Sequence, residues 1–147
     1  MLKKLGLAVA VSMMAAAPAW AENSCGSEPI APAIPSVAEI GPKSAADAQK
    51  AKHQAFEDIR AWQGALKDYR SCLDSDQNET KRQVQDAQTQ SKPDKDKIKK
   101  LQDQIQADVK DYDHSTDSEE RVVNDFHALS TAYCSRADTD KSSCPKT

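Results

Sequence analysis

The sequence predicts an all-α protein: a long antiparallel helical hairpin, preceded by an extended proline-rich strap and held by two disulfide bonds. Three observations predict this fold. Apolar residues recur at steps of three and four along two long stretches, which is typical of amphipathic helices. Four prolines crowd residues 28–43, and only Pro93 and Pro145 follow them. Four cysteines lie beyond residue 21, an even number that predicts two disulfides in an exported chain.

Residues 1–21 have the layout of a secretory signal peptide. Two lysines form a positive head, an apolar run follows, and Ala19-Trp20-Ala21 is a small-x-small cleavage motif. The overlapping Ala17-Pro18-Ala19 offers a second cleavage point. The apolar run is too short to cross a bilayer. We therefore expect a soluble product without membrane insertion after cleavage, in the periplasm or, as the alternative, outside the cell.

Residues 22–43 are predicted to form the extended strap. Their prolines exclude a continuous helix and favour a polyproline-like conformation. Aliphatic side chains are spaced between these prolines, which favours a strap laid against a helix: Ile30, Ile34, Val37 and Ile40.

Residues 44–136 predict the hairpin, with its turn near Pro93, and residues 137–147 are left as a C-terminal tail. Ser44, with Asp47 three positions later, is a typical helix N-cap. The apolar stripe of the first helix is Phe56, Ile59, Trp62, Leu66, Tyr69 and Leu73. That of the second is Ile98, Leu101, Ile105, Val109, Tyr112, Val122, Phe126, Leu129 and Tyr133.

A three-helix bundle is the alternative to the hairpin. It would need helix breaks at Asp74–Asn78 and His114–Ser118, because both stretches are rich in residues that cap helices.

A family resemblance covers most of the chain beyond residue 21. It is carried by an N-terminal cysteine, by Ile34-Pro35 in the strap, by Tyr69-Arg70-Ser71-Cys72-Leu73, and by the helix from Phe126 to Tyr133. The chain resembles small exported helical proteins of Gram-negative bacteria for which no activity is known. The resemblance implies that Cys25 pairs with Cys72, and it implies no catalytic function.

The hairpin geometry restricts the other cysteine pairings. Cys72 and Cys134 lie at different distances from the turn, so a rise of about 1.5 Å per residue separates them by roughly 30 Å. Disulfide formation needs Cα atoms within about 7 Å, which excludes Cys72–Cys134 in a straight hairpin but not in the three-helix bundle. The strap is long enough for Cys25 to reach Cys72. With the pairing of Cys25 and Cys72 that the resemblance implies, the expected bonds are Cys25–Cys72 and Cys134–Cys144.

The sequence contains no recognisable catalytic or cofactor motif, so we expect a protein without enzymatic activity, cofactor or metal. The formal net charge of −3 argues against nucleic-acid binding, which needs a clustered basic face. Three histidines lie beside the predicted apolar stripes, where we expect them to be solvated: His53, His114 and His127.

The candidate partner-binding residues are Ile98, Leu101 and Ile105. In the hairpin they face residues 79–88, where the first helix offers mainly Val84 and Ala87. An apolar stripe without an equal stripe opposite suits a partner protein or self-association through residues 98–105, and a frayed tip is the alternative. We therefore expect an interaction or scaffold protein that uses its distal helices, with a periplasmic metal or small-ligand binder as the alternative.

Overall fold

The computed structural model describes residues 24–144, so the predicted signal segment lies outside the described residues. This part of the chain is helical and contains no strand. Its elements are α1 (Val37–Ile40), α2 (Ala45–Thr89), α3 (Lys95–Ser135) and a short 3-10 turn (Lys141–Ser143).

Helices α2 and α3 form the predicted antiparallel hairpin, which turns at residues 90–94. Both helices are continuous through the stretches where the three-helix alternative needed breaks, so that alternative is wrong. Ser44 caps α2 by accepting a hydrogen bond from the Asp47 backbone N–H at 3.1 Å. Asp94 caps α3 in the same way, accepting from the N–H groups of Asp96 and Lys97 at 3.1 and 3.0 Å. The capping residues thus position both helix starts.

A seven-residue repeat sets the seam between the two helices. Buried positions on α2 include Ile59, Leu66, Leu73, Thr80 and Ala87, and those on α3 include Asp108, Ser115, Val122 and Leu129. A strict repeat of this kind keeps one face of each helix against its partner, as in a coiled coil.

The repeat departs from the predicted apolar stripe at two positions. Val109 is 37 % exposed and its neighbour Asp108 is buried, while Phe56 is 43 % exposed and its neighbour Ala55 is buried. The predicted stripe followed the most apolar residue within each turn. The seam instead follows the seven-residue spacing, because both helices must keep contact over their whole length.

Most of the apolar core lies in one half of the hairpin. We call residues 24–73 and 112–144 the base, and residues 74–111 the distal hairpin. Two apolar clusters are found within residues 24–144, and both belong to the base. Their buried members are Ile40, Ala48, Ala55, Leu129 and Tyr133 in the first, and Ile59, Trp62, Leu66 and Val122 in the second.

The N-terminal segment, residues 24–44, packs on the base. The Trp62 indole N–H donates to the Pro29 carbonyl at 3.0 Å, and Ile34 packs against both clusters. Residues 37–40 form the helical turn α1 rather than extended chain, because Ser36 and Glu39 make a capping box.

Both predicted disulfides are present. Cys25–Cys72 joins the N-terminal segment to α2 with a Cα–Cα distance of 5.7 Å, and Cys134–Cys144 closes the C-terminal loop at 5.8 Å. Arg136 ties this loop to the N-terminal segment by donating to the carbonyls of Ile40 and Lys43 at 2.9 and 2.8 Å. In the base, the N-terminal segment and the C-terminal loop are thus tied to the two helices and to each other.

None of the helices within residues 24–144 combines the length and the apolar character that a membrane crossing requires.

Candidate binding sites

The predicted partner-binding residues lie together on the distal part of α3. Ile98, Leu101 and Ile105 are each only half-buried. The opposing part of α2 contributes Val84, which is also half-buried, and the small Ala87, which is buried. The distal seam thus keeps three large aliphatic side chains partly in solvent, with little apolar surface opposite them.

A buried carboxyl group, which the sequence analysis missed, lies in the distal seam. Asp108 is 0 % exposed, and among the described residues neither of its carboxyl oxygens has a hydrogen-bond partner. Burial raises the pKa of Asp108 from its ordinary 3.8 to about 6, and the negative charges of Asp76 and Asp111 add to the effect. An unpaired buried carboxylate is costly, so the distal seam favours the protonated form.

A polar clamp joins α2 and α3 in the base, next to the distal hairpin. The Arg70 guanidinium donates to the hydroxyl and carbonyl oxygens of Ser115, both at 2.7 Å, and to the Glu119 carboxylate at 2.6 Å. Gln63 donates to the other oxygen of Glu119 at 2.8 Å. The hydrogen bond from Arg70 is the main reason that the pKa of Glu119 lies below its ordinary value. The clamp fixes the register in which the two helices meet.

A groove of about 560 Å³ opens on the base between α2, α3 and the C-terminal loop. Its lining comprises Gln49, Lys52, His53, Phe56, Phe126, Ser130, Ser142, Ser143 and Cys144. The Lys52 ammonium donates to the Ser143 carbonyl at 2.8 Å and lies 4.8 Å from the centre of the Tyr133 ring. Burial lowers the pKa of Lys52. The groove therefore combines apolar rings with a partly dehydrated cation.

The three histidines have different surroundings. His53 lines the groove, His127 is exposed, and the His114 ring nitrogen Nδ1 lies 2.5 Å from the Glu28 carboxylate, which links α3 to the N-terminal segment. Over residues 24–144, no three His, Cys, Asp or Glu side chains lie together in a way that could hold a metal ion.

Sequence reasoning missed the groove because its wall comes from three separated parts of the chain. The signals available were the exposed side of Phe56 and the nearby Lys52-His53 pair, but neither indicates a groove until Cys144 is bonded to Cys134.

Comparison with known proteins adds no further constraint, since no family model, curated protein or solved structure matches the chain. The resemblance carried by Cys25, Ile34-Pro35 and Tyr69–Leu73 stays a prediction. The function has to be inferred from the side chains described above.

Proposed function

We propose that this protein is a non-enzymatic scaffold protein, exported to the periplasm, which pairs with a second copy of itself through its distal hairpin. The observation that carries the proposal is the half-buried stripe of Ile98, Leu101 and Ile105. Residues at this spacing form a continuous face on a helix and are typical anchors of helix-to-helix contacts.

The base supports this proposal, because there the two helices are covered by further segments of the chain. There, the N-terminal segment and the C-terminal loop cover the helices, and apolar side chains such as Leu66 and Leu129 are fully buried. The contacts of these covering segments described above all lie on the base. A second distal hairpin would supply the missing layer on the distal half, giving a four-helix arrangement.

The charges of the distal hairpin favour a second copy as the occupant. Its α2 part has an acidic excess, from Asp74, Asp76, Glu79 and Asp86 against Lys81 and Arg82. The start of α3 instead has a basic excess, from the exposed Lys95, Lys97, Lys99 and Lys100 against Asp96 and Asp103. Lys99 already pairs with Asp103 at 2.6 Å within its own helix. A two-fold pair that places α3 of each copy beside α2 of the other would bring the remaining lysines against the acidic part of the partner copy.

Two further observations support the assignment to the periplasm. The chain carries a predicted signal peptide at residues 1–21, and its two disulfides are compatible with an oxidising compartment.

Oligomeric state tests the proposal directly. Sedimentation velocity and light scattering of the disulfide-intact protein, from micromolar to millimolar concentration, should give a monomer–dimer equilibrium that weakens at high salt. Leu101→Asp should abolish the dimer and leave the base folded, because it places a charge in the proposed interface.

Gln102→Asp provides the matched control, since Gln102 is the exposed neighbour of Leu101 on the same helix. This variant adds the same charge outside the stripe and should still dimerise. A protein that stays monomeric at millimolar concentration would overturn the proposal, as would equal effects of the two substitutions.

A further inference from the structure

The groove on the base has the dimensions of a small-molecule site. Its volume of about 560 Å³ lies in the range of roughly 300–1,000 Å³ that such sites occupy. The Cys134–Cys144 disulfide holds Ser142 and Ser143 against α2, so one wall of the groove is covalently fixed. A wall fixed in this way reduces the ordering that a ligand must impose on binding.

The charge of the groove selects for anions. The chain contains 23 acidic residues, yet neither Asp nor Glu lines the groove, whereas Lys52 and His53 do. The contacts described for the Lys52 ammonium are the Ser143 carbonyl, the Cys134 sulfur and the Tyr133 ring. None of these carries a formal negative charge. An ammonium has three N–H donors, so a bound anion can accept a hydrogen bond from Lys52 while the bond to Ser143 persists.

The apolar part of the groove selects for a ligand with an aromatic body. Phe56 is one of the few large apolar residues that remain exposed in the described chain, at 43 %. Its ring centre lies 6.0 Å from that of Phe126, with the rings tilted by 37°. The Arg60 guanidinium, which does not line the groove, lies 5.7 Å from the centre of the Phe56 ring. A third ring packed against this pair would bury apolar surface and gain aromatic contact.

We infer that this groove binds a small aromatic carboxylate, with its ring against Phe56 and Phe126 and its carboxylate on the Lys52 ammonium. This binding is separate from the pairing of distal hairpins, because the groove lies at the opposite end of the molecule. No covalent step is involved, so the ligand is bound and released unchanged.

Titration calorimetry with naphthoate, and with the neutral naphthamide of the same shape, tests the charge requirement. Naphthoate should bind at least about tenfold more tightly than naphthamide, and this difference should shrink at high salt. Lys52→Met keeps the apolar stem and removes the charge, so it should abolish the preference for naphthoate. Lys50→Met is the matched control, since Lys50 is exposed and does not line the groove.

Two further measurements test the apolar part. Phe56→Gln should weaken naphthoate and naphthamide alike and leave the ratio of their affinities unchanged. Intermolecular NOEs from naphthoate to the ring protons of Phe56 and Phe126 should be observed in the unsubstituted protein, which locates the ligand without any mutation. Equal affinities of the two ligands, equal effects of the two lysine substitutions, or NOEs to residues elsewhere would each overturn the inference.

Discussion

The base and the distal hairpin share one seven-residue repeat but bury different side chains at it. In the base, the α3 positions hold Val122 and Leu129 besides the small polar Ser115, and in the distal hairpin the equivalent position holds the acidic Asp108. In the base, the N-terminal segment packs on the apolar clusters through Ile34, whereas the aliphatic residues of the distal stripe are only half-buried. The helices thus continue unchanged from one region into the other, whereas the side chains that the seam buries and the segments that pack on it differ between the two regions.

The largest expected difference between the two regions concerns the truncation of a leucine. Leu66→Ala in the base should lower the free energy of unfolding by about 3 kcal/mol, because Leu66 is fully buried and its removal leaves a cavity. Leu101→Ala in the distal hairpin should cost only about 1 kcal/mol, since Leu101 is half-buried.

Chemical denaturation, performed at a concentration where the protein is monomeric, measures both losses. Equal losses for the two variants would mean that the distal seam is as well packed as the base, and the contrast between the halves would fail.

A smaller effect is expected from the buried carboxyl of the distal seam. The pKa of Asp108 is raised to about 6 in the folded protein, so the folded state favours the protonated form. The penalty is absent below the ordinary pKa of 3.8, grows as the pH rises, and is complete above about 6, where it amounts to about 3 kcal/mol. Asp108→Asn should therefore stabilise the distal hairpin above pH 6 by about 2 kcal/mol, less than the full penalty because the amide is also buried.

Hydrogen-exchange protection of the distal amides, measured as a function of pH, reports this effect. Protection should fall between pH 4 and pH 6 in the unsubstituted protein and stay constant in Asp108→Asn. Asp113→Asn, an exposed carboxyl on the same helix, is the control and should keep the pH dependence. A pH profile unchanged by Asp108→Asn would show that this carboxyl does not weaken the distal seam.

The smallest expected effect concerns Glu119 in the base. Its contribution to the free energy of unfolding increases as the pH rises, whereas the penalty at Asp108 lowers that free energy. Glu119 has a pKa below its ordinary 4.5 because of Arg70, so its contribution is present above pH 4.5 and is lost as the pH falls through the folded-state pKa. Glu119→Gln should cost about 1 kcal/mol at neutral pH, since the ionised partner of Arg70 is replaced by a neutral one.

The cost of Glu119→Gln should shrink as the pH falls through the folded-state pKa of Glu119, and denaturation at a series of pH values below 7 measures this. Glu120→Gln on the exposed neighbour is the control. A cost that does not change with pH would show that the negative charge of Glu119 does not contribute to the stability of the clamp.

Much of the fold could be predicted from residues close together in sequence. The cap at Ser44, the turn near Pro93 and the continuous amphipathic stretches are local signals, and both disulfides agree with the predicted pairing. The candidate residues Ile98, Leu101 and Ile105 do lie on one face, while their binding to a partner stays a proposal.

The features that were missed depend on side chains from separate parts of the chain. The sequence predicts Asp108 as a surface carboxyl and its neighbour Val109 as the core residue. The packing of α2 against α3 reverses this, with Asp108 buried and Val109 exposed. The groove needs Lys52 from α2, Phe126 from α3 and Cys144 from the C-terminal loop to come together.

The helices and their turn follow from the sequence alone, because capping, proline and amphipathic spacing act over a few residues, whereas the expected cysteine pairing also rested on the family resemblance. The identity of the buried carboxyl and the position of the groove follow from the packing of separate parts of the chain. Those outcomes depend on the register between two helices of more than forty residues each, and a shift of one residue exchanges Asp108 for Val109.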